Sequence, residues 1–203
     1  MDDLTKIDRL TMVVYPQLSS RLSEVWNHSN TTLVKREVSR VFGDNDKIKV
    51  MSDRKFIKFA ENYLDDLGDR NDQSEITSVV LSILLEVKED NGYFAQTFID
   101  DIDETMYSER WVVFFTNTFS RWFHRNNCAG LFGIHTDREH FQQWLVTRFV
   151  VYHEYFHYCE SNRMLATQSD TVIQYSENSA NSYAWNRLIE DVLGMANQGE
   201  TNG

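Results

Sequence analysis

The chain of 203 residues is 41% hydrophobic and 25% charged, which excludes wholesale disorder and allows one real core without staples. Its formal net charge of −11 argues against direct nucleic-acid binding, which needs the opposite sign. No apolar run approaches the ~18 residues of a membrane span, and the opening residues are too acidic for a signal peptide. Two cysteines, Cys128 and Cys159, make no disulfide framework, so the expected location is cytoplasmic with no membrane partner.

The charge is uneven. Residues 61–109 hold fourteen Asp and Glu against only Arg70 and Lys88, which leaves the rest of the chain near neutrality. Solvated helix faces are the ordinary reading of such a stretch. A docking face for a basic partner, or a mimic of DNA charge, is the other.

A single proline and eight glycines favour long helices. In chain order, helices are predicted over 31–42, closed by Gly43, and over 53–67, between Ser52 and Gly68. A third is predicted over 76–88, between Ser74 and Gly92. Residues 47–51 alternate and make a candidate strand. Trp111, Phe114, Phe115, Thr118, Phe119, Trp122 and Phe123 then fall at helical spacing, which predicts a helix with a buried aromatic face. Residues 129–134 form a candidate edge strand, and Thr136 with Glu139 has capping-box spacing for a helix over 136–160. Residues 171–175 are a third strand candidate. Ser176 is expected to cap a last helix ending at Gly194, before a disordered tail over 197–203.

The helix over 136–160 carries the chemistry. Val151-Tyr-His-Glu-Tyr-Phe-His-Tyr158 contains H-E-x-x-H, and on a helix His153 and His157 share one face a turn apart. Two imidazoles at that separation can bind one zinc ion, while Glu154 can serve as general base towards a water activated there. A third ligand is required. No histidine follows His157, and Glu177 on the next helix is the favoured donor, with Glu160 and Asp170 as rivals. Asn181 shares the Glu177 face and is suited to hydrogen-bond the free ring nitrogen of a zinc histidine, His153 first. Ala180 and Ala184 keep that face small enough for close approach. Candidate oxyanion stabilisers are Tyr152, Tyr158, Tyr175, Tyr183, His135 and Arg187.

Arg148-Phe-Val-Val-Tyr-His-Glu-Tyr-Phe-His157, followed by Glu177-Asn-Ser-Ala-Asn-Ser-Tyr-Ala184, resembles the ImmA/IrrE-type metallopeptidases of the gluzincin group. Their pattern is R-F-x-x-x-H-E-x-x-H with E-x-x-A-N-x-x-A. The resemblance spans residues 148–188, about a fifth of the chain. It implies one Zn2+ held by His153, His157 and Glu177, with Glu154 catalytic, and a target such as a basic DNA-binding regulator. The expected fold is mainly α, zincin-like, with at most a small two- or three-stranded sheet beside the active-site helix. Its parts would be a helical N-terminal region over 1–107 and a metal-binding region over 108–196, joined as one unit. The alternative is a non-catalytic, zinc-containing acidic interaction protein of an inhibitor or anti-restriction type. Oligomeric state is not legible.

If the acidic stretch steers a cationic protein, replacing Asp65, Asp66, Asp69 and Asp72 together by Asn should slow capture of that protein. The effect should be largest at low salt and fade as the Debye length falls from ~10 Å at 0.1 M to ~3 Å at 1 M. Stopped-flow association rates equal to wild type at low salt would make the stretch a solubility feature.

Overall fold

Gly43 closes the helix over 30–42 with φ 67°, and its amide donates to the Ser39 carbonyl at 2.9 Å, the left-handed stop expected of a glycine there. That helix is α1 (Asn30–Phe42) of a computed structural model that describes residues 6–7, 9–11, 30–67, 81, 83–85, 94–101, 108–125, 136–160 and 170–197. It is followed by β1 (Ile48–Met51), α2 (Asp53–Leu67), β2 (Ala95–Asp101) and β3 (Ser108–Phe115). Then come α3 (Thr116–Arg125), α4 (Thr136–Glu160) and α5 (Asp170–Asn197). Ser52 caps α2 as expected, its hydroxyl accepting from the Lys55 amide at 3.4 Å.

The fold is mainly α with one small sheet. Its strand order is β1-β3-β2, with β1 parallel to β3 and β2 antiparallel to it. Strands β1 and β2 both lie within residues 1–107, so that region is not purely helical. α4 packs along α5, against α1 and beside β2.

Two predicted elements are corrected. Residues 111–123 are not one helix but the end of β3 running into α3. Val112 and Phe114 join the core shared with α1, α4 and α5, while Val113 and Phe115 join a second core with Phe56 and Ala60 of α2. A strand buried on both faces is apolar at every position, so its two-residue period disappears and a helical stripe can be read through it. Residues 171–175 are not a strand either. α5 begins at Asp170, so Ser176 lies inside the helix rather than capping it, and the β-preference of a Thr-Val-Ile run gives way to helix continuity. The candidate strand 129–134 and the tail 198–203 lie outside the described residues, as does most of the predicted helix 76–88, of which Leu81 and residues 83–85 are helical.

A cluster of charges joins the three helices around the main core. Glu37 of α1 is 2% exposed and accepts from Arg148 Nε at 2.8 Å, Arg40 Nε at 3.1 Å and Arg36 Nη2 at 3.0 Å. Arg148 also reaches Asp191 of α5 at 2.7 Å and lies over the Trp144 ring at 4.2 Å. Burial alone would push the Glu37 carboxyl up, but the three arginines outweigh it and hold it below its ordinary value. Its contribution to stability is therefore complete above pH 4.5 and is lost as pH falls through the lowered folded value.

Arg148→Met should cost roughly 3 kcal/mol, because it strips the main partner from a buried carboxylate. Urea unfolding measures this, and Glu37→Gln should remove part of the stability loss seen below pH 4.5 in wild type.

Candidate metal centre

Helix α4 presents His153 and His157 one turn apart, and α5 brings Glu177 to them from the other side. Glu177 stands seven residues into α5, not in its first turn as the sequence suggested. The close approach of the helices rests on Ala180 and Ala184, both fully buried. Glu177 itself is 48% exposed, whereas the histidine side chains are 16% and 18% exposed.

The donor atoms converge. His153 Nε2 and His157 Nε2 are 3.1 Å apart, Glu177 Oε2 is 3.3 Å from the first and Oε1 is 3.2 Å from the second. Ligands about 2.0 Å from a tetrahedral metal are separated by about 3.3 Å, so these spacings fit the edges of such a site. Asn181 supports the arrangement as expected, its Oδ1 accepting from His153 Nδ1 at 3.0 Å. With the proton on Nδ1, the Nε2 lone pair faces the other two donors. The three residues can therefore hold a metal ion.

Burial pulls the His153 imidazole down, but the hydrogen bond it donates to Glu177 and the charges of Glu154 and Glu177 leave it raised above its ordinary value. Hydrogen bonds from His153 and His157 hold the Glu177 carboxyl far below its ordinary value. The carboxylate is thus held in the ionised state a metal needs, whereas His153 must give up the proton that these surroundings favour.

Glu154 is buried on the β2 side of α4, within electrostatic reach of His153, His157 and Glu177. Burial raises its carboxyl above the ordinary glutamate value, against the opposing pull of the histidines. Its Oε2 accepts a hydrogen bond from Thr97 Oγ1 of β2 at 2.7 Å. Thr97 was not a sequence candidate. Its strand lies in the acidic stretch, and a threonine between Gln96 and Phe98 carries no motif.

The other candidates fare differently. Tyr152 donates to Asp191 at 2.5 Å and accepts from Arg40 at 2.6 Å, so its hydroxyl belongs to the charge cluster. Tyr158 accepts from Asn45 at 2.9 Å, next to Phe42 of α1. Arg187 pairs with Glu190 at 2.8 Å, and Tyr183 packs against Tyr155 and Phe156. His135 and the side chains of Tyr175, Glu160 and Asp170 lie outside the described residues. The chain matches no protein-family model, no curated protein and no solved structure.

The protein purified without a histidine tag should carry close to one metal ion per chain by metal analysis. Alanine at His153, His157 or Glu177 should remove it, and Asn181→Ala should weaken binding by about tenfold. Full occupancy in Glu177→Ala would exclude this carboxylate as a ligand.

Proposed function

We propose that this chain is a zinc-dependent peptidase of the gluzincin kind, with His153, His157 and Glu177 as ligands and Glu154 as general base. The observation that carries the reading is the juxtaposition of a three-donor group with a separate, buried carboxylate on the same helix. Two imidazoles and one carboxylate suit zinc and leave a fourth position open. A bound zinc ion would supply Lewis-acid chemistry, polarising a peptide carbonyl and lowering the pKa of a water towards ~7.

The protein's own residues do the rest. Glu154 accepts a proton from the attacking water and returns it to the leaving amine, a task suited to a carboxyl raised by burial. Asn181 fixes the His153 tautomer. Among the described residues strand β2 is an edge of the sheet, and it lies beside α4. An extended substrate backbone can align along such an edge. The substrate would be a specific cytoplasmic protein, and the acidic composition of residues 61–109 favours a basic one, such as a DNA-binding regulator.

Glu154→Gln preserves shape and removes the proton acceptor, so it should keep zinc and melting temperature while cleavage falls by at least about a hundredfold. Zinc-loaded wild type and Glu154→Gln, each incubated with a proteome-derived peptide library, are compared by mass spectrometry of new N-termini. Indistinguishable profiles would favour the non-catalytic interaction protein.

A further inference from the structure

We infer that Thr97 is a positioning residue for Glu154, fixing which of its two carboxylate oxygens is free to take a proton. The inference rests on the peptidase reading above and extends it to a residue outside both sequence blocks. Thr97 sits on β2, opposite Val112 of β3, so its backbone is fixed by the ladder rather than by a loop. Its hydroxyl donates to Glu154 Oε2 at 2.7 Å, a short bond of the charge-assisted kind.

Glu154 needs such a partner. The residue is only 7% exposed, and a buried carboxylate with no donor is costly and free to turn about its last torsion. One donor on Oε2 removes that freedom and leaves Oε1 as the oxygen that Thr97 does not engage. A base must offer one oxygen at a defined place, and a clamp on the other oxygen achieves this from outside the metal ligands. Valine has the shape of threonine without the donor, whereas serine keeps the donor. The pair therefore separates the hydrogen bond from packing.

The test uses acetohydroxamate and the zinc-loaded full chain. A hydroxamic acid releases a proton on chelating a metal ion, so its affinity reports whether a positioned acceptor stands beside the metal. Calorimetry should show Glu154→Gln and Thr97→Val each weakening binding by about tenfold, with Thr97→Ser within about twofold of wild type. The double variant Thr97→Val with Glu154→Gln should bind no more weakly than Glu154→Gln alone, because both changes remove one function. Zinc content should be equal in all. If Thr97→Val does not hold its fold, Thr97→Cys, a weak donor of similar size, carries the same comparison.

Unchanged affinity in Thr97→Val beside a weakened Glu154→Gln would overturn the role of Thr97 and leave the base intact. Unchanged affinity in both would remove Glu154 as base and the inference with it. Loss of zinc in Thr97→Val would also overturn the inference, by assigning Thr97 to the ligand framework.

Discussion

The third donor of the candidate metal centre comes from a different helix than the first two, so everything depends on how α5 is seated on α4. Two contacts fix that seating. Near Glu177, the fully buried Ala180 and Ala184 let the helices close on one another. Fourteen residues along α5, about 21 Å at helical rise, Asp191 takes a 2.7 Å ion pair from Arg148 and a 2.5 Å hydrogen bond from Tyr152. A helix held at two separated points can neither slide by a turn nor rotate without breaking one of them. Glu177 therefore arrives at His153 and His157 by construction rather than by local loop geometry.

The far contact is itself held from the N-terminal side. Glu37 of α1 takes the other side of Arg148 and also Arg40, whose guanidinium reaches both Tyr152 and Asp191. Buried ion clusters are poor sources of net stability compared with apolar packing of the same volume. Their directional demands are strict, however, and here the bonds from Glu37 to Arg148, from Arg40 to Tyr152 and from Arg148 to Asp191 run between helices. That makes the cluster a device for setting the mutual geometry of α1, α4 and α5, with the apolar residues around Trp144 and Leu188 supplying the cohesion.

The local parts of the site were legible in the sequence and the long-range parts were not. Glu177 itself is singled out because two histidine donors call for a third on a second helix, whereas the shared face of His153 and His157, and of Glu177 and Asn181, follows from helical periodicity. Helix α4 was read with its observed bounds for the same reason. Strand β3 was misread because burial on both faces erases alternation, and the start of α5 because local β-preference is a weak signal beside helix continuity. Thr97, Glu37 and Asp191 could not have been chosen. Each acts through a partner 39 to 111 residues away, and one threonine or acid among many carries no spacing to read.

Two glutamates near one pair of histidines have opposite surroundings, and under the peptidase reading that difference assigns their roles. Glu177 is nearly half exposed and accepts from both imidazoles, so it stays ionised as a donor should. Glu154 is buried with one hydroxyl as donor, and burial raises its carboxyl above the ordinary value, the direction that suits a group which takes a proton and returns it. With the histidines neutral the group carries a formal charge of −2, which a divalent cation balances. Magnesium and calcium prefer all-oxygen sites, whereas two imidazole nitrogens select a borderline metal such as zinc. Sequence names both carboxylates as partners of the histidines, but their difference in burial, set by β2 on one side and solvent on the other, is what would make one a ligand and the other a carrier of protons under that reading.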